Sequence, residues 1–410
     1  MRTCGHDTDV AIVGAGAAGL SLAHWLRSGS PTGRAASLTV TLIDAPVGPL
    51  RPAERTWCFW EHPGGPFDAL LTSSWQRLRV RGRAGAPLVG RPEPFRYKML
   101  SSATFTSYVE SFIDATPYVR RIEARVTQVR DSGDGAEVRA VTSGGAPMRV
   151  HARWAFDSRP RRPESARTAL LQHFRGWFVR TERPSFDTSV ADLMDFRTPQ
   201  PPTGLSFGYV LPLSPHTALV EYTEFSGDVL SDEEYDRALR QYTEEVLGLR
   251  SYEVTRTEQG AIPMTDGRFP RRDGASVFRI GTAAGATRPS TGYTFAGIQR
   301  QTRAVAAALG AGTTPVPPAA YPPRALLMDA VLLRALDTGR VRGADFFTDL
   351  FRHVPAERLL RFLDADTRMW EDIAIGLRTP VGPMLRTLAE LPLTSRRATP
   401  AAARGQRVGR

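Results

Sequence analysis

Apolar residues in DVAIVGAGAAGLSLAHWLRS run as a short strand into a glycine turn and then recur at helical spacing, and a second apolar strand, LTVTLID, follows a Gly/Pro/Ser-rich loop. That change of period predicts a βαβ unit starting at residue 9. Residues 51–96 hold PGGP, several Trp and many Arg without a clear period, which predicts an irregular segment before helical spacing resumes in YKMLSSATFTSYVESFI. The stretch RIEARVTQVRDSGDGAEVRAVTSGGAPMRVHARWAFDSR alternates apolar and polar positions around two glycine-rich turns and predicts a β-meander. GWFVRTE, FGYVLPL and TALVEYTEF predict a further strand block from Gly176 to about Phe225, followed by a helix over DEEYDRALRQYTEEVL with Asp232 as its N-cap. VFRIGTAAGATRPSTGYTFAGIQRQTRAVAAAL is again strand, Gly-rich loop and helix, and helical periodicity then dominates from Arg324 to about Leu388. The tail from Thr394, rich in Arg and free of acids, predicts disorder.

Together these elements predict an α/β protein: a Rossmann-like nucleotide-binding domain with a β-rich domain and a C-terminal helical region. The nucleotide-binding parts would be residues 1–50, 111–160 and 261–312. An irregular and helical insert at 51–110, a β-rich substrate domain at 161–260, a helical region at 313–393 and a basic tail at 394–410 complete the division.

The chain has 410 residues, 41% of them hydrophobic, enough for a substantial core. Its formal charge of +11 comes almost wholly from Arg, with Lys98 the only Lys, a bias that reflects composition more than a binding footprint. No Arg run is interleaved with regularly spaced aromatics, so nucleic acid is not an expected partner. Cys4 and Cys58 are the only cysteines, which excludes a disulfide framework and a multi-Cys metal site and suits a reducing cytoplasm. The short polar N-terminus predicts no signal peptide, and no long uncharged apolar run predicts a membrane span. Any membrane contact is therefore expected to be peripheral, and no obligate protein partner is predicted.

Gly14-Ala15-Gly16-Ala17-Ala18-Gly19 supplies GxGxxG between strand and helix. The first glycine permits the tight turn, the second lets backbone approach a pyrophosphate, the third allows close helix packing, and the helix N-terminus adds N–H donors. Asp44, ending the second strand, suits the ribose hydroxyls. The late segment RIGTAAGATRPSTGYTFAGI favours FAD over NAD, because hydroxylase-type flavoproteins close a second Gly-rich loop over the ribityl chain and isoalloxazine. It resembles their GD-type motif, with Thr282 in place of the usual Asp, and brings Gly281, Gly285, Pro289 and Gly292 to the cofactor. In the same scaffold Val126 would meet the adenine through its backbone.

RTWCFWE at residues 55–61, MDFRT at 194–198, LPLSPHTALVEYTEFS and GATRPSTGYTFAGIQ resemble the bacterial lycopene β-cyclase family, in the expected order over almost the whole chain. The acidic motif departs in one place: Tyr222 follows Glu221 where family members often carry a second acid. The resemblance implies a non-redox reaction on a linear polyene, lycopene or another acyclic-ended carotene. A terminal double bond is protonated, an internal one closes a six-membered ring, and loss of an allylic proton gives the β-ionone end. It also implies FAD in its reduced form, with NAD(P)H as reductant, and a membrane-borne substrate met at the inner face of the cell membrane.

An alkene is a very poor base, so its protonation needs a desolvated acid and a means of stabilising the cation. Glu221 is the expected catalytic acid, its pKa raised by apolar surroundings. On a strand it shares a face with Thr223 and Phe225, whereas Glu224 lies on the other face with Val220 and Tyr222 and is expected to be solvated. Trp57, Phe59, Trp60, Tyr293 and Phe295 are candidate pocket aromatics. Asp195 and Arg197 either orient the flavin or the acid, or pair with each other; Asp157 and Arg159 are expected to be structural. The paired apolar residues Leu326, Leu327, Phe346, Phe347, Leu359 and Leu360 suit either core helices or a face dipping into lipid.

Overall fold

The computed structural model describes residues 6–28 and 37–398; Cys4 and the tail beyond Ala398 lie outside them. The first layer is a parallel sheet in the order Val119–Ser132, Val40–Asp44, Thr8–Val13, Pro147–Asp157, Val277–Arg279. Gly135–Thr142 runs antiparallel to the two long strands on either side of it in sequence and completes the meander. Against this sheet pack the helices Ala17–Ser28, Ser102–Asp114 and Phe295–Gly310, around Ile12, Leu20, Leu22, Phe105, Phe278 and Ile298. The run of four buried residues Val10 to Val13 is what a strand covered on both faces requires.

The second layer is a seven-stranded sheet ordered Tyr252–Thr265, Ala169–Thr181, Thr217–Ser226, Leu205–Ser214, Val190–Asp195, Arg77–Arg81, Leu88–Gly90. Its pairings are antiparallel except between Val190–Asp195 and Arg77–Arg81. Both faces are covered. One meets Trp60, Tyr97 and the C-terminal helices; the other, through Trp177, Val220 and Tyr222, meets Tyr235, Leu239 and Tyr242. Between the layers lies a small sheet of Thr56–Glu61, Arg96–Ser101 and Ser73–Trp75.

Several expectations are corrected. Residues 51–96 are only in part irregular: they hold short strands of both the smaller and the larger sheet, most of three to six residues and separated by turns. The helix expected from Tyr97 begins at Ser102, capped by the Ser101 hydroxyl accepting from Ala103 N–H, because Arg96–Ser101 is a strand. Within that strand Lys98 is fully buried, its Nζ bonded to Glu61, Asp68 and the His62 carbonyl, so the chain's one lysine is an internal tie. The later helix is capped by Ser231 instead of Asp232, in a capping box with Glu234. The tail is ordered as far as Ala398: Arg397–Ala398 pairs antiparallel with Ser165–Ala166, and Arg396 donates to the carbonyls of Ser165 and Asp266.

Among the late apolar pairs, Phe346, Phe347, Leu359 and Leu360 are buried in the core, so they are not a lipid-facing surface. Leu326 and Leu327 are exposed.

Candidate active site

The glycine fingerprint sits where the first strand meets the helix Ala17–Ser28. Gly14 takes φ +91°, a left-handed turn that suits glycine. A Cβ at Gly19 would lie 1.9 Å from the Gly14 carbonyl oxygen, so its absence seats the helix on the strand; one at Gly16 would meet nothing within 4 Å. Asp44 Oδ1 accepts from Ala15 N–H at 3.0 Å, tying the second strand to the turn, and Oδ2 lies 3.2 Å from Arg51 Nε. From the other side, Gly281 (φ +69°) approaches Ala18 so closely that a Cβ would lie 2.6 Å from the alanine methyl. Thr282 is exposed on the turn Gly281–Ala284, with the left-handed Gly285 closing it. Pro289 is half-buried further along the loop, and Gly292 (φ +72°) leaves room for the Gln172 side chain. The carbonyl of Val126 accepts from Arg159 Nη1 at 2.9 Å. Arg159 and Arg279 both bind the fully buried Asp157, which locks the meander to the last strand. Open backbone at Gly16, a helix N-terminus and a carboxylate at the second strand's end fit a dinucleotide such as FAD.

Glu221 lies on an interior strand of the second sheet, Thr217–Ser226, on the face that looks toward the small sheet. Its side chain is 8% exposed. Thr223 Oγ1, two residues on and on the same face, donates to Glu221 Oε1 at 2.6 Å. Burial, and next the nearby Glu258, push the Glu221 carboxyl up to about 8, against a smaller lowering by Thr223. It is therefore protonated at neutral pH, as a general acid must be.

Around it stand Trp60 and Tyr293, two of the expected pocket aromatics, together with Tyr97, Tyr209 and Cys58, which the sequence motifs do not single out. Tyr209 is its direct cross-strand neighbour. The Tyr97 hydroxyl lies 2.7 Å from that of Tyr209 and 2.8 Å from that of Tyr293, and Trp60 meets Tyr293 edge-on with ring centroids 4.6 Å apart. Cys58 is half-buried beside them, its thiol pushed up to about 12 chiefly by desolvation. Burial also raises the three tyrosines, so this wall is uncharged at neutral pH.

The strand Thr56–Glu61 divides the predicted aromatics between two cores. Cys58 and Trp60 point to the acid's side. Trp57 and Phe59 point the other way and pack against Phe295, with ring centroids 5.4 and 4.8 Å away, in the core of the nucleotide-binding layer. Asp195 and Arg197 pair with each other, Nε to Oδ1 at 2.9 Å, and Tyr242 donates to Asp195 at 3.0 Å. They lie on the face away from Glu221: Asp195 is opposite Gly208, whose missing side chain admits the Tyr242 ring. Glu224 is not solvated; it is 8% exposed and accepts from the Tyr222 hydroxyl at 3.0 Å, on the face opposite Glu221.

The fold is shared with solved flavoprotein hydroxylase-like structures. A geranylgeranyl bacteriochlorophyll reductase-like protein from Thermoplasma acidophilum superposes with a TM-score of 0.61 at 12% identity, over 94% of this chain and 99% of that one. The p-nitrophenol 4-monooxygenase PnpA from Pseudomonas putida DLL-E4 gives 0.61 at 16% identity, over 88% and 98%. No protein with a curated description matches in sequence. Residues 9–389 match the family described as lycopene cyclase protein. With that match spanning nearly its whole length and the buried acid where the motif puts it, the chain belongs to the lycopene cyclase family.

Proposed function

We propose that the protein is a lycopene β-cyclase that converts the acyclic ends of lycopene, through γ-carotene to β-carotene, with Glu221 as the proton donor. The observation that carries the reading is a buried carboxyl, neutral at pH 7, on a wall of aromatic and hydroxyl groups, with no ion-pair partner among the described residues. Glu221 gives its proton to the terminal alkene; Tyr97, Tyr209, Tyr293 and Trp60 exclude water and offer π-faces to the carbocation. Gly14, Gly16, Gly19, Asp44, Gly281 and Thr282 are the residues that would hold FAD. When bound and reduced, with NAD(P)H as the reductant, FAD supplies negative charge to offset the cation without net electron transfer.

The rival on this scaffold is a flavin monooxygenase or epoxidase. Purified protein with FAD, a reductant and lycopene in liposomes under argon separates the two. The cyclase forms γ- and β-carotene without oxygen. Unchanged lycopene under argon, with an oxygenated product in air, rejects the cyclase.

The substrate class calls for contact with a bilayer, and no helix among the described residues is long and apolar enough to cross one. The support for peripheral docking is the helix Met369–Gly376, which turns Met369, Trp370 and Ile373 outward, with Leu377 just beyond and Leu385 and Leu388 on the next helix. Its acids Glu371 and Asp372 point inward to Arg361 and Arg324, leaving Arg368, Arg378 and Arg386 exposed among the apolar groups. Apolar side chains rimmed by Arg suit the anionic inner face of the cell membrane. Trp370→Asp with Ile373→Asp should release the protein from anionic liposomes in a sedimentation assay while leaving its Tm within a few degrees of wild type. Undiminished sedimentation would rule this face out.

A further inference from the structure

The acid has a carboxyl partner two strands away. The strand Ala169–Thr181 lies between the acid's strand and Tyr252–Thr265, and its Gly176 is paired with Glu221 on one side and Glu258 on the other. Residues in register across antiparallel strands point to the same face. Two carboxyl side chains thus rise from backbones about 10 Å apart, and between them stands a residue with no side chain. A Cβ at Gly176 would lie 3.6 Å from Glu221 Cβ, 3.4 Å from Glu258 Cγ and 2.8 Å from Leu219 Cδ1. The gap is where the two acids face each other.

Their surroundings are unequal. Both are 8% exposed, and each accepts one hydroxyl: Glu221 from Thr223, Glu258 from Thr56 Oγ1 at 2.7 Å. Facing Glu221 from the other elements are Cys58, Tyr209 and Tyr293, with Tyr97 behind them, all neutral at pH 7. Burial raises Glu258 too, but unlike Glu221 it also feels Arg256 on its own strand and Arg55 beside Thr56, both of which favour its charge. Arg256 lies over the Phe178 ring, 3.8 Å from its centroid, and pairs with Glu54 at 3.2 Å. Among the described residues, neither Glu221 nor Glu258 has an ion-pair partner within 4 Å.

We infer that Glu258 is a positioning residue for the proton donor: the two glutamates form a one-proton pair across Gly176, with the charge on Glu258 and the proton on Glu221. The inference rests on the cyclase reading for its chemical use. The Glu221 O–H bond breaks as a C–H bond forms at the polyene end, so the pair passes from one negative charge to two beside one positive charge. When the allylic C–H bond breaks, its electron pair becomes the ring double bond and its proton returns to the doubly charged pair. The cycle consumes no proton. The tyrosine at 222, where relatives often carry a second acid, does not leave the donor alone: the second carboxylate comes from a different strand.

The test is a titration of Glu221 followed by the infrared carboxyl band, isolated by subtracting spectra of Glu221→Gln, alongside the pH profile of cyclisation. In Glu258→Gln the missing charge no longer holds the proton on Glu221, so the band midpoint and the alkaline limb of activity should both move to lower pH by about one unit. Glu258→Asp, which keeps the charge, should restore both toward wild type. A midpoint unmoved in Glu258→Gln overturns the inference, as does an activity loss of equal factor at every pH. The infrared midpoint does not depend on turnover. Wild-type protein that fails to cyclise lycopene therefore counts against the functional reading, while the midpoint still decides the pairing.

Discussion

Glu221→Gln should abolish cyclisation, with a loss of at least about 10²–10⁴-fold from removing the general acid, while flavin stays bound and the fold stays intact. Gln keeps the shape and can still meet the Thr223 hydroxyl, and its other close neighbours are neutral or would lose only repulsion. Product chromatography and flavin absorbance read the two halves of the expectation. A variant that cyclises normally would remove Glu221 from the mechanism. In the wild type, activity should hold on the acid side and fall as pH rises through about 8, where the donor loses its proton.

The same substitution has a thermodynamic signature. The ordinary Glu value is 4.5 and the folded one about 8, so between these the folded chain binds the extra proton and unfolding releases it. Stability from this group is full below about 4.5 and declines as pH rises toward about 8. The Gln variant lacks that decline, so its Tm relative to wild type should rise across the window. Glu258, also raised by burial, contributes in the same direction and remains in the variant.

The second large effect is in the nucleotide turn, where two glycines three residues apart should behave differently. At Gly19 a methyl collides with backbone, 1.9 Å from the Gly14 oxygen, and must push the helix off the sheet, costing about 1–3 kcal/mol or more. At Gly16 a methyl meets no protein atom within 4 Å and obstructs only what binds there. Gly19→Ala should lower Tm and yield colourless protein; Gly16→Ala should keep Tm and lose flavin on gel filtration. Retention of flavin by both would mean the pyrophosphate lies elsewhere.

The first βαβ unit and the meander are legible in the sequence because their periods are clean and their turns carry glycine. The insert at 51–96 is not. In Thr56–Glu61 alternate residues serve two different cores, so Trp57, Cys58, Phe59 and Trp60 are all non-polar and no alternation survives. The helix at Met369 inverts the usual rule, with acids inside and Trp370 outside, because the guanidiniums of Arg361 and Arg324 pair with the buried Glu371 and Asp372. Glu221 was legible from its motif and from the apolar strand around it. Glu258 was not: it stands in YEVTRTEQGAIPMT among exposed polar positions, and only the register through Gly176 sets it beside the acid.

The acid's strand is paired on both edges and packed on both faces. A side chain so anchored cannot travel to its target. On the proposed reaction the polyene must be fed inward until its last double bond reaches a fixed point, so the enzyme acts as a depth gauge. On that reading, what is recognised is the distance from a chain's end.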